Sequence, residues 1–324
     1  MNLYAGFLTH LVLTAVAVVP GLSIAYLMAR WAPVHAPVKV WILRLALAVC
    51  LVSLVVGGVP IAVRAGTEGQ APASLLALSA LIGIYLAGVL CRLGDLRQAL
   101  AAVRRIRGRA RLASPEIQAE TRALRNDVGV PSLPTVVESD AVDSVVLLAG
   151  RPLAIVLPAS GFPDETRRLA IAHEMAHIRH RDLAWSAVAS VAEAVFWFHP
   201  LVLLASGRLR IAQEAFADQV ALAATSANPR RYAEMLVELA TDRRRVPMVA
   251  ASAASVREEL HARLTALYDR PRKWSVLLVA PAMVLLVPLR PVPVQSGRVI
   301  AVTSRDVPVA APVRRMVSPA SLAR

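Results

Sequence analysis

Three long apolar stretches constrain this chain more than any other feature. Residues 5–29, 40–63 and 72–93 each hold about 20 or more mostly apolar residues, enough to cross a hydrocarbon core of roughly 30 Å as helix. A fourth stretch, 274–289, is shorter and spans only with bilayer thinning or snorkelling flanks. The composition agrees. At 56% hydrophobic, 18% charged and mean hydropathy +0.55, the chain is too apolar for a single soluble domain and reads as a membrane protein carrying one polar domain.

No Lys or Arg precedes the first stretch, which also outruns a signal peptide's apolar region, so it is expected to be a retained anchor. The flanking cations set the orientation. Arg30 and Lys39 lie between the first two stretches, Arg64 is offset by Glu68 before the third, and seven arginines from Arg92 to Arg111 follow it. This bias predicts an outside N-terminus and a cytoplasmic segment from about 94 to 272, with Arg270, Arg272 and Lys273 before the fourth span pointing the same way. The expected layout is a three-helix membrane region over 1–95, a cytoplasmic domain over 96–272, a fourth span over 273–290 and a short extracytoplasmic tail over 291–324.

The net charge of +14 does not call for nucleic acid. Its densest cluster, RRIRGRAR at 104–111, follows a membrane span and has no interleaved aromatics, so topology and anionic lipid account for it more simply. Cys50 and Cys91 both fall in expected spans, leaving neither a disulfide framework nor a cysteine metal cluster. Any metal ligands must be histidine and carboxylate.

The polar segment reads as α+β. Ser114-Pro115-Glu116 opens a helix that Asn126 to Gly129 closes. PTVVES, SVVLLAG and PLAIVLP follow as short strands, the last two joined as a hairpin through Gly150, Arg151 and Pro152. A helix opening near Pro163-Asp164 and running to about Arg181 then carries LAIAHEMAHIRHRD. Within a helix, His173 and His177 stand about 40° apart and one turn along, with Glu174 beside them. Two imidazoles can then converge on one ion while the carboxylate stays free to take a proton from water.

A catalytic zinc usually takes a third protein ligand, and His180, His199 and Glu214 are the candidates. Three ligands on one straight helix can hardly surround an ion, so His180 is expected to be solvated. His199 precedes Pro200 in apolar surroundings and reads as a buried or interfacial histidine. Glu214 lies in RIAQEAFADQVAL with Asp218 one turn later on the same face. Like charges at that spacing are mildly unfavourable without a cation, and an acid placed there can hold the outer nitrogen of a ligating histidine. H-E-x-x-H followed by E-x-x-x-D is therefore a stronger signal than either part.

HEMAHIRHRD, FWFHPLVLLASGRLRIAQEAFAD and NPRRYAEMLVELA together resemble the zinc domain of the BlaR/MecR-type antirepressor metallopeptidases, membrane relatives of the gluzincins. VVESDAVDSVVLLAGRPLAIVLP is similar to that family's strand region, and the resemblance covers roughly 75–290. It implies a zincin-like α+β peptidase domain inserted in an α-helical integral membrane protein. It also implies one Zn2+ per chain on His173, His177 and Glu214, Glu174 as catalytic base and Asp218 supporting the ligands. A winged-helix transcriptional repressor is the substrate it implies. The best-known members carry a penicillin-binding sensor with an S-x-x-K nucleophile. Here Lys39 and Lys273 have Ala36 and Arg270 three positions before them, and the tail is short, so direct covalent β-lactam sensing is not expected.

Residues 183–206 test the topology, because a single crossing there would separate His173 and His177 from Glu214. With Glu193 and His199-Pro200 inside it, this stretch is expected to pack under the domain or lie on the bilayer. The expected chemistry is zinc-assisted peptide hydrolysis at the membrane surface, with an edge strand near 153–157 aligning the substrate. Tyr232, His261 and Tyr268 are available to stabilise the oxyanion, though each reads more simply as a helix residue. Ser255 with Glu258 forms a capping box expected to start a helix whose core face is Leu260, Leu264 and Leu267. Two other readings share the spans: an HtpX-like quality-control metallopeptidase, and a non-catalytic receptor or scaffold without metal.

Overall fold

The computed structural model describes residues 2–32, 34–56, 72–161, 163–243 and 250–268. The expected fourth span and the tail lie outside the described residues. Three helical stretches are long and apolar enough to cross a membrane: Phe7–Trp31, Ala36–Val55 and Leu76–Arg109, with mean hydropathies of 2.2, 2.2 and 2.0. The first is two helices, α1 (Asn2–Ala17) and α2 (Val19–Trp31), with the break at Val18 just ahead of Pro20. A proline inside a helix removes an N–H and crowds the preceding turn, so the helix restarts there.

The second stretch is α3 (Ala36–Val56), which packs with α1 and α2 around Leu11, Leu22, Leu43 and Leu47. The third is α4 (Pro72–Arg109), which continues unbroken past the apolar stretch and through the arginine cluster to Arg109. No part of its apolar window is buried by protein, and Leu76, Leu81, Ile84 and Leu90 are more than half exposed. Such a surface is stable only against lipid.

After α4 a small sheet forms from β1 (Arg111–Leu112), β2 (Thr135–Ser139), β3 (Val146–Leu148) and β4 (Ala154–Pro158) in the order β1-β2-β4-β3. β3 and β4 make the expected antiparallel hairpin, Val146 opposite Val156, while β2 runs parallel to β4 with Val137 opposite Val156. The expected edge position of residues 153–157 is corrected: β4 is central, and the edges are β1 and β3. β4 is buried at every residue, as a strand covered on both faces must be. β1 was not foreseen, since two residues carry no periodicity.

Helix α5 (Pro115–Val128) joins β1 to β2, capped by the Ser114 hydroxyl accepting from the Ile117 N–H and closed by Gly129 at φ 77°. Its buried side, Leu124 and Val128, meets Val136, Ile155 and Leu157 of the sheet. Against the same core lies α6 (Asp164–Arg179), through Ile171, Ala172, Met175 and Ile178. That packing turns residues 173, 174 and 177 to the opposite face.

Residues 183–206 are not one continuous helix. Arg181 takes a left-handed conformation, φ 55°, and starts α7 (Asp182–Val195); an elbow follows, and α8 (Pro200–Thr225) returns. The pair packs into the α1–α3 core through Ala189, Ala192, Phe196, Val202, Ala205 and Leu209. At the elbow His199 Nε2 bonds the Ala15 carbonyl at 3.1 Å, midway along the first apolar stretch. α8 thus runs from the α1–α3 core, through Glu214, to Ala221 in the sheet core.

The last two helices are α9 (Pro229–Arg243) and α10 (Ala250–Tyr268). Leu260, Leu264 and Leu267 pack on Leu169, Tyr232 and Leu236 as expected. The capping-box reading is corrected, because α10 starts at Ala250 and Ser255 lies inside it. The Ala-rich AASAAS sequence favours an earlier start, and Glu258 instead meets Arg30 of α2 at 3.1 Å and pairs with Arg208 of α8.

Candidate metal centre

The helical spacing of α6 and the return of α8 bring the expected ligands together. His173 Nε2 and His177 Nε2 are 3.2 Å apart; Glu214 Oε2 stands 3.3 Å from the first and Oε1 3.6 Å from the second. These three residues form a group able to hold a metal ion. His180 and His199 are not part of it. His180 is not solvated as expected; its ring packs on Phe216 with centroids 4.2 Å apart, and burial lowers its pKa.

Each histidine is held from behind by a carboxylate. Asp218, wholly buried, places Oδ1 2.9 Å from His173 Nδ1, and Asp182 places Oδ2 2.7 Å from His177 Nδ1. With each Nδ1 turned to the acid behind it, both Nε2 atoms point to one place, toward each other and toward Glu214. Three ligand atoms facing one point call for positive charge between them, a proton or a metal ion, and two imidazoles with a carboxylate are a donor set that fits a metal.

The electrostatics match. Burial would lower His173, yet hydrogen bonding and charge from Asp218 and Glu214 overcome it and raise the ring to about 10. Burial alone would raise Glu214, but His173, His177 and Arg263 bring it down to about 2. Glu174 moves the other way. Burial raises its carboxyl, aided by Glu214 and opposed by the two histidines and a backbone N–H donated by Leu147 of β3. The edge strand therefore borders the proposed base.

Several residues here escaped the sequence reading. Arg263 of α10 donates from Nε to Asp218 Oδ2 at 2.7 Å and from Nη2 to Oδ1 at 2.8 Å, with Nη1 3.3 Å from Glu214 Oε2. A guanidinium thus already stands between the two acids whose spacing called for a cation. Tyr232, named above as available to an oxyanion, is buried and donates its hydroxyl to Asp218 at 2.7 Å, the acid behind His173. His261 and Tyr268 are exposed. Asp182 belongs to the H-E-x-x-H stretch itself, five positions after His177, but only the left-handed turn at Arg181 brings it back to the ring.

A family model described as BlaR1 peptidase M56 matches residues 61–267, more than half of the chain. This chain belongs to the BlaR1 peptidase M56 family. Membership makes it a membrane-associated metallopeptidase with a protein substrate, and the three apolar helices give it lipid contact. The match takes in α4 to α10 and every residue of the His-His-Glu group. No curated protein matches the chain.

Proposed function

We propose that this M56 peptidase is a multi-pass, zinc-dependent endopeptidase of the plasma membrane that cleaves a cytoplasmic regulatory protein, in the manner of an antirepressor. The convergence of His173, His177 and Glu214 carries the reading. A tetrahedral zinc ion about 2.0–2.1 Å from each ligand sets those atoms about 3.3–3.4 Å apart; the two Nε2 atoms are 3.2 Å apart, and each has a Glu214 oxygen nearby, Oε2 at 3.3 Å from His173 and Oε1 at 3.6 Å from His177. Two imidazoles and one carboxylate are also the donor set of catalytic zinc in peptidases, leaving a position open. Bound zinc supplies Lewis acidity, polarising the scissile carbonyl and making water acidic enough to attack at neutral pH.

The protein's own residues do the rest. Glu174, raised above the ordinary carboxylate range, takes the proton of the attacking water and passes it to the departing amine. Asp218 and Asp182 hold the ligand rings in one tautomer and orientation. The outer edge of β3, whose Leu147 N–H reaches Glu174, aligns an extended peptide past the base by strand addition. The zincin-like arrangement of sheet, α6 and α8 is the scaffold for that geometry.

The domain boundaries at 95 and 272 and the cytoplasmic placement follow from the same model of topology. The polar domain touches the membrane helices at one end of the bundle: Arg30 near the end of α2 meets Glu258, Ala36 at the start of α3 packs with Ala215 and Ala266, and Arg107 near the end of α4 donates to the Pro152 carbonyl. That end carries the arginine excess, which marks the cytoplasmic side. The repressor substrate is the choice the family resemblance favours.

The test compares new protein N-termini in cells producing the wild-type chain or Glu174→Gln. One or a few cytoplasmic regulatory proteins cut only by the wild type support the reading. Broad cutting of misfolded membrane proteins would replace it with quality control.

A further inference from the structure

Arg44 lies inside α3, one turn beyond Lys39, and is the buried charge of that helix, 2% exposed. Charge in a membrane helix is costly and needs a partner. Its partner is Asp182, the carboxylate behind His177. The two oxygens of Asp182 divide the work: Oδ1 takes Arg44 from α3 and the Gln213 amide from α8 at 3.2 Å, while Oδ2 faces His177 Nδ1 at 2.7 Å. Trp41 of α3 and Trp185 of α7 flank the guanidinium, their ring centroids 5.5 and 5.3 Å from its central carbon. The rings exclude water from the pair and restrict the arginine's rotamers.

The two halves of the centre are built alike but anchored differently. His173 leans on Asp218, which leans on Arg263 of α10, outside the spans; His177 leans on Asp182, which leans on Arg44 within one. We propose that Arg44 is a positioning residue through which the membrane helix α3 fixes the orientation of His177, so that metal affinity at the centre depends on the placement of that span. Arg44 precedes the residues matched by the family model. The inference rests on the metal-centre reading above. It adds that a shift or rotation of α3 reaches a ligand through one carboxylate, giving a signal in the bilayer a short physical route to the active site.

The test is zinc affinity of the full chain in lipid nanodiscs, by competition with a fluorescent chelator, together with the visible spectrum of the cobalt-substituted protein. Arg44→Met should weaken zinc binding by about 10–100-fold, the usual effect of losing support behind a ligand, and should alter the cobalt bands. Arg44→Lys should restore part of the affinity. Leu47→Ala trims another buried side chain of α3 without removing a charge or touching Asp182 and should leave zinc affinity and the cobalt bands near wild-type values. If Arg44→Met does not fold, Arg44→Met with Asp182→Asn removes both buried charges and is read in its place, with the same loss expected. Wild-type affinity and spectrum in the folded Arg44 variant, or an equal loss in Leu47→Ala, would overturn the proposal while leaving the metal centre intact. A wild-type chain that binds neither zinc nor cobalt would overturn the metal-centre reading, and this inference with it.

Discussion

Replacing Arg263 by methionine keeps the apolar stem and deletes the cation shared by Glu214 and Asp218. Asp218 is wholly buried and would keep only the Tyr232 hydroxyl and His173, while Glu214 would keep the two histidines. Breaking one side of a buried ion pair costs about 3–5 kcal/mol, because the remaining charge has lost its compensation. At about 2–4 °C per kcal/mol, that lowers the melting temperature by about 6–20 °C in chelator. Saturating zinc restores positive charge next to Glu214 and, through His173, to Asp218, so the loss should be distinctly smaller there. Tryptophan fluorescence during thermal unfolding, in detergent with either EDTA or excess zinc, reads both numbers. Arg230→Met, which breaks only the exposed pair with Glu234, should change either value by about 1–2 °C at most. A loss that is the same in EDTA and zinc, or no loss in either, would refute the view that Arg263 and the metal neutralise the same acids.

Three further outcomes follow. Glu174→Gln should retain zinc while losing about 10²–10⁴-fold in peptide cleavage, the range for removing a general base; an active variant would assign the base elsewhere. His173 in the metal-free protein is raised from its ordinary value to about 10, so the stability its proton contributes is complete below about pH 6.5 and lost as the pH rises through about 10. Zinc displaces that proton, so affinity should rise between pH 7 and 9 by about tenfold per unit for one proton released; pH-independent calorimetric affinity would contradict it. In a chain without Cys50 and Cys91, Asp127→Cys on the exposed face of α5 should react with an impermeant maleimide only after cells are opened. Labelling of intact cells would reverse the proposed orientation.

What the sequence disclosed was what local periodicity controls. His173, Glu174 and His177 are related by one helix turn, so their convergence is legible before any tertiary contact is known. Glu214 and Asp218 share a face by the same rule, and Ser114 and Gly129 mark the ends of α5 through backbone chemistry of one or two residues. What stayed hidden depends on long contacts. Arg44 reaches Asp182 across 138 positions and Arg263 reaches Asp218 across 45, and no pattern near either arginine announces its acid. The capping box at Ser255 satisfied its local rule and still failed, because the Ala-rich turn before it is equally helical. The edge strand was misplaced for a related reason: strand order is set by pairing, and only the unbroken apolar run LAIVL at 153–157 hinted that β4 is central. His180 turned out packed on Phe216, a partner 36 positions away that helix geometry alone could not supply.

The central claim is that His173, His177 and Glu214 hold a zinc ion. Elemental analysis of the purified full chain, beside folded His173→Ala and Glu214→Ala variants, tests it most directly. One zinc per wild-type chain, lost in both variants, is the predicted result. A folded wild-type chain that carries no zinc and takes up none when it is supplied would contradict the account.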